Sequence, residues 1–183
     1  MSAILPDIRS PFTRNVWLML VMLVLLAITF TIYVMSEEQN DRAEDLRFQS
    51  FLLADELRQS SDDLTRMVRT YVVTGDPIYK KYYQDILDIR NGKKPRPNGY
   101  QNIYWDLVLA NEQLPNTGRW QAIALLELMG QAGFTEQEFR KLAEAKANSD
   151  ALTVPEFEAM KLVESTGPEA EVNRARARRM MHD

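Results

Sequence analysis

The stretch "DDLTRMVRTYVVTGDPIYKKYYQDI", Asp62 to Ile86, decides the fold, because a long helical pattern stops there at a glycine and restarts within four residues. Gly75 suits the left-handed residue that closes a helix, Asp76 suits the cap of the next, and Pro77 suits its first turn, where a missing N–H costs nothing. A first helix is therefore expected to end near Val73, and a second to run from Pro77 to about Arg90, where Asn91 and Gly92 stop it.

Upstream of the turn, Leu46, Leu53, Ser60 and Met67 occupy one heptad position and Ser50, Leu57, Leu64 and Tyr71 the other. Alternating steps of four and three give the seam of a bundle or coiled-coil helix. Its apolar members, Leu46, Leu53, Leu57, Leu64, Met67 and Tyr71, form the expected signalling seam. Further upstream, Val16 to Met35 reads "VWLMLVMLVLLAITFTIYVM", twenty residues without a charge. That length crosses about 30 Å of hydrocarbon. The following "SEEQNDRAED" offers no small-x-small cleavage site, which favours a span over a cleaved signal peptide. Arg9 and Arg14 precede the span while Glu37 and Glu38 follow it, so the amino terminus is expected in the cytoplasm. Residues 1–15 are then a cytoplasmic segment, 16–35 a transmembrane helix, and 36–183 an extracytoplasmic helical domain, periplasmic in a Gram-negative inner membrane.

Downstream, "GKKPRPNGY" reads as a stiff loop whose basic residues are solvated, and helices are expected in "QNIYWDLVLANEQL" and "RWQAIALLELMGQAGF". Thr135 with Glu138 and Thr153 with Glu156 each match a capping box and mark two further helix starts. Strand patterns are absent, so the fold is expected to be all-α. The tail "STGPEAEVNRARARRMMHD" turns helix-prone with little to pack on, and Asp183 is read as a truncation.

With no cysteine and one histidine, His182, the chain has no thiolate metal site, no disulfide framework and no multi-histidine centre. The net charge of −4 is mixed along the exterior and does not point to nucleic acid. No acidic run follows a calcium-loop pattern, and no phosphate loop, nucleophile elbow or catalytic carboxylate pair stands out, so neither a cofactor nor enzymatic activity is expected of this chain.

Two sets of residues have the chemistry to bind. Asp62, Arg66, Arg69 and Val73 share one helix face. The plain reading is a solvated face with an Asp62 to Arg66 pair; the functional one is that the Arg66 and Arg69 forks hold a small anion. The aromatic group Tyr79, Tyr82, Tyr83, Tyr100, Tyr104 and Trp105 brackets the proline-rich loop. Core packing explains such spacing, yet Tyr104 and Trp105, the latter beside Asp106, also suit a pocket wall for an amine.

The blocks "LRQSSDDLTRMVRTYVVTGDPIYKKYYQDILDIRNGKKPRPNGYQNIYWDLV" and "LLELMGQAGFTEQEFRKLAEAKANSDALTVPEFEAMKLVE", covering Leu57 to Glu164, resemble the amino-terminal periplasmic sensing region of bacterial transmembrane signal transducers. That group includes sensor histidine kinases, methyl-accepting chemotaxis proteins and diguanylate cyclases. The resemblance implies a helical input followed, beyond this chain, by a second span and a cytoplasmic output. His182 lies outside any kinase motif and takes no phosphoacceptor role. A homodimer in the membrane is expected, with the Leu46 to Tyr71 seam as one candidate surface, although that seam equally suits packing within its own bundle. The ligand is expected to be a periplasmic small molecule or protein. The alternative class is a single-pass scaffold that binds a partner through its helical exterior.

Overall fold

The computed structural model describes residues 9–97, 100, 104–111 and 121–182, and their side chains except those of 9–12, 38–43 and 111. Among these residues the fold is helical: α1 (Arg9–Thr74), α2 (Pro77–Arg90), α3 (Tyr104–Asn111), α4 (Leu125–Gln131), α5 (Glu136–Val163) and α6 (Ala170–His182). The only bridge of strand type described is an isolated antiparallel one between Asn91 and Ala124. The chain divides into two compact units between Asp45 and Leu46.

In the first unit, Thr13–Glu37 is long and apolar enough to cross a membrane, with a mean hydropathy of 2.7, and none of it is buried. A signal sequence near an amino terminus would pass the same test of length and composition. Thr29 and Thr31 satisfy their hydroxyls inside the helix: Thr29 Oγ1 donates to the carbonyls of Leu25 (2.9 Å) and Leu26 (3.0 Å), and Thr31 Oγ1 to that of Ala27 (2.8 Å). Such back-bonding leaves neither hydroxyl in need of water, which suits a hydrocarbon setting.

In the second unit the turn forms as its residues dictate. Gly75 has φ 70° and donates to the Tyr71 carbonyl at 2.8 Å, while the Asp76 carboxylate caps α2 by accepting from the Ile78 amide at 2.9 Å. The seam of α1 faces inward from Leu53 to Tyr71, and Leu46 lies outside the packed region at 49% exposure. This part of the seam is therefore taken up by the unit's own core rather than left free for a second copy.

That core has two apolar clusters. The main one gathers Leu64, Met67, Val68, Tyr71 and Val72 of α1, the inner face of α2, Tyr100, Tyr104, Trp105 and Val108, and the ends of α5 and α6. The second joins Leu53 and Leu57 to Leu125, Met129 and Ala132, with Phe139 and Leu142 against them. Both α1 and α5 pass from the second cluster to the main one, and both carry polar residues at the crossing. There Ser61 and Ser149 share a hydrogen bond of 2.9 Å, and the fully buried Arg90 donates to Ser149 Oγ (2.9 Å) and to the Asp150 carboxylate (2.6 Å). Lys146 Nζ also holds Asp150 (2.6 Å) and the Asn91 side-chain oxygen (3.0 Å).

Three local expectations are corrected. Thr135 and Glu138 do form a capping box, but Thr153 starts no helix: it lies inside α5 and donates to the Asp150 carbonyl (2.7 Å), with Pro155 following in the same helix. Tertiary contacts on both sides of Pro155 hold α5 together despite the hydrogen bond the proline removes. The carboxyl-terminal helix is not short of partners either, since Ala177 is buried, Met180 and Met181 pack on the main cluster, and Arg69 Nε donates to the Met181 carbonyl (2.9 Å). The loop "GKKPRP" is not wholly solvated, because Arg96 turns inward.

Gly92 and Gly75 both have a positive φ, 71° and 70°, but their surroundings differ. A Cβ at Gly92 would meet the Ala124 backbone nitrogen at 2.4 Å, whereas one at Gly75 meets nothing within 4 Å. Gly75→Ala is expected to cost about 1–2 kcal/mol from backbone strain alone. Gly92→Ala adds a backbone clash and should lower the melting temperature clearly further; thermal unfolding of the full chain in lipid nanodiscs, followed by circular dichroism, compares the two.

Candidate functional site

On α1, Glu56, Ser60 and Asp63 follow at steps of four and three and lead to Met67, so polar side chains occupy a stripe that points inward. Glu56 is 3% exposed and Asp63 5%. Two ionised carboxylates cannot stay in such a setting without partners, and each has recruited a guanidinium. Arg96 Nε donates to Glu56 Oε1 at 2.8 Å, and the Arg96 fork is fixed further by a bond to the Ile123 carbonyl (2.5 Å). Arg66 Nη2 donates to Asp63 Oδ1 at 2.5 Å, while its Nη1 holds Asp106 at the start of α3.

The pairing is incomplete. Glu56 Oε2 and Asp63 Oδ2 are buried with no hydrogen-bond partner, as are Arg66 Nε and Arg96 Nη2. Glu56 and Asp63 line one slot with Gln59, Ser60, Tyr100 and Trp105, and it is too narrow to take a water. Asp63 also lines the wall of a wider depression of about 450 Å³ on the outer side, where Asp55, Arg58, Asp62, Arg66 and Asp106 gather. Arg58 is committed there too, donating to Asp55 (2.8 Å) and Asp62 (3.1 Å).

Burial pushes the Asp63 carboxyl up to about 6, against the pull of Arg66 and with the help of the Asp106 charge. Burial likewise raises Glu56, opposed by Arg96. The Tyr100 phenol is raised by burial as well, with the charges of Glu56 and Asp63 adding to it. A second polar group joins α2 to α5, where Tyr83 Oη donates to Glu156 Oε2 at 2.6 Å. Burial lifts both of these groups, and their hydrogen bond raises the tyrosine while lowering the glutamate.

The residues expected to bind are placed as follows. Arg66 stands in the depression, but its fork is taken by Asp63 and Asp106 rather than by Asp62, whose partner is Arg58. Arg69 is on a different task, tied to the Met181 carbonyl. Tyr104 and Trp105 are buried; Trp105 packs against Tyr82 (centroids 5.4 Å) and edge-on to Tyr104 (5.2 Å), and of the two only Trp105 lines the slot. Arg66 and Trp105 are thus brought to opposite sides of Asp63, while Arg69 and Tyr104 line neither space. Sequence reasoning missed Glu56, Asp63 and Arg96. The four-and-three spacing of Glu56, Ser60 and Asp63 into Met67 was the signal for the first two; nothing local marks Arg96. Among the described residues, no group of histidine, cysteine, aspartate and glutamate has the arrangement to hold a metal ion.

The raised carboxyl of Asp63 has a signed consequence. Its folded form keeps a proton up to about pH 6, whereas an unfolded aspartate releases it near about 3.9, so Asp63 contributes stability at low pH that is lost as pH rises through about 6. Acidification from neutral to pH 5 is expected to raise the melting temperature of the full chain relative to an Asp63→Asn variant, whose own profile should be flatter over that interval. Parallel profiles for the two proteins would exclude Asp63 as the titrating group. No family model, curated protein or solved structure matches the chain.

Proposed function

We propose that this chain is the input portion of a bacterial transmembrane signal transducer, with a sensor histidine kinase as the favoured output and a chemoreceptor or diguanylate cyclase as the alternatives. The supporting observation is that a single helix, α1, supplies both the apolar segment Thr13–Glu37 and the polar wall bearing Glu56 and Asp63. In this reading the amino terminus is cytoplasmic and the helical unit is a periplasmic bundle. A stimulus that changes the partners of Glu56 or Asp63 alters how α1 packs, and the helix carries a small shift or rotation across the membrane to a dimeric output. The depression and slot beside Asp63 are the sensing region, and no reaction is catalysed in this chain.

The natural absence of cysteine makes the test direct. Single cysteines at successive positions from Val16 to Met35 are introduced into the full chain, and oxidative cross-linking is followed in native membranes. A receptor dimer is expected to give a profile that repeats every three to four residues, and Arg96→Met, which strips Glu56 of its partner, should move the maxima. Absence of cross-linking at every position would overturn the dimeric span; a profile unmoved by Arg96→Met would overturn transmission through α1.

A further inference from the structure

Arg66 divides one guanidinium between two carboxylates. Its Nη2 donates to Asp63 Oδ1 on α1 at 2.5 Å and its Nη1 holds Asp106 on α3, while its Nε is buried with no partner. Neither pair is therefore the parallel two-bond fork that makes an arginine–carboxylate contact strong. The two acceptors also differ in their surroundings, for the Asp63 side chain is 7% exposed and that of Asp106 53%. Water can solvate Asp106 whichever partner Arg66 keeps, and Asp63 has no such support.

The far oxygen of Asp63 sharpens this asymmetry. Oδ2 is buried without a hydrogen-bond partner, and the slot that Asp63 shares with Tyr100 and Trp105 is too narrow to admit water. An ionised carboxylate there holds part of its charge against a dry wall, whereas a proton on Oδ2 removes that charge where solvent cannot. Burial and the Asp106 charge favour the protonated form and Arg66 opposes it, with the balance at about 6. Asp63 also borders the outer depression, which gives the proton its way in. Glu56 lacks this arrangement, because its guanidinium, Arg96, has the Ile123 carbonyl rather than a second carboxylate as its other partner.

We propose that Asp63 is a proton-operated latch between α1 and α3: a proton taken up at Oδ2 ends its hold on Arg66, which then serves Asp106 alone. One O–H bond forms and Arg66 keeps its charge, so the tie between the two helices survives but loses its inner anchor. The proposal rests on the receptor reading above and names its stimulus, extracytoplasmic acidity. The exchange of partners is the local change that the packing of α1 registers. The titratable and charged groups around Asp63 are Glu56, Asp62 and Arg66 on α1, Asp106 on α3, and Arg96 and Tyr100 from the segment ahead of α3, with Asp55 and Arg58 completing the outer depression. Of these, Arg66 and Asp106 are the two through which the latch works, and they act on Asp63 in opposite directions.

Fluorine NMR of the full chain in lipid nanodiscs, labelled with 5-fluorotryptophan, tests this, because Trp105 lines the slot beside Asp63. Its signal, one of three, is identified by its loss in Trp105→Phe. Between about pH 8 and about pH 4.5 that signal is expected to shift along one titration curve with its midpoint near pH 6. Asp63→Asn should flatten the curve. Arg66→Gln, which lacks the opposing cation, should move the midpoint up by about one unit, and Asp106→Asn, which leaves the whole fork to Asp63, should move it down by about as much. In an Arg66→Gln background the Asp106→Asn shift should shrink, since the shared fork is gone. Asp106 is half exposed, so its variant keeps the test decisive should a buried one fail to fold. A flat native curve, an unchanged curve in Asp63→Asn, a midpoint that stays or rises in Asp106→Asn, or a full-sized Asp106→Asn shift without Arg66 would each overturn the proposal. Such a failure is separable from failure of the receptor reading, because the titration needs no dimer and the cross-linking profile of the span is read at a single pH.

Discussion

A buried carboxylate without a counter-charge is among the costliest features a fold can hold, and the helical unit is organised around avoiding two of them. Glu56 and Asp63 project from the inward stripe of α1, so the surrounding elements must deliver guanidiniums to that stripe. Arg96 arrives from the loop after α2, and it is fixed there by the Ile123 carbonyl, just ahead of α4. Arg66 comes from α1 itself and is shared with the first turn of α3. Removing one partner from such a pair leaves an uncompensated charge and costs about 3–5 kcal/mol. The positions of the 92–97 loop and of α3 against α1 are therefore set by charge as much as by apolar contact.

The same logic runs through the crossing of α1 and α5. Arg90 ends α2, is fully buried, and finds Ser149 and Asp150 on α5, while Lys146 reaches across to Asn91 and Asp150. Apolar side chains are indifferent to small sliding motions, but this polar layer accepts one register. It divides the interior into two apolar clusters and fixes which turn of α5 lies opposite which turn of α1.

Local chemistry was legible in the amino-acid sequence and long-range pairing was not. Gly75, Asp76 and Pro77 each have a conformational reason to be where they are, and the turn forms as those reasons dictate. The heptad spacing likewise put Leu53 to Tyr71 on one seam, because periodicity along one helix is a property of that helix, but only the packing shows that this seam faces inward. The partners of Arg66 were not readable: the spacing pointed to Asp62, whereas the structure pairs Arg66 with Asp63 and, through the packing of α3, with Asp106. Arg96 was read as solvated because charged residues in a proline-rich loop usually are, and the loop's inward turn depends on Glu56, forty residues earlier. Thr153 and Glu156 match a helix start that tertiary contacts override, since α5 is already anchored on both sides of Pro155.

That proline has one more effect. Residues of α5 before it, Phe139 and Leu142, rest on the second apolar cluster, and those after it, Phe157 to Val163, rest on the main one. The helix is thus a single element by shape but two by allegiance, with its weakest backbone link lying next to the polar crossing. Amide exchange along α5 would accordingly divide into two protection classes, and the half nearest α4 would open without unzipping the aromatic interior.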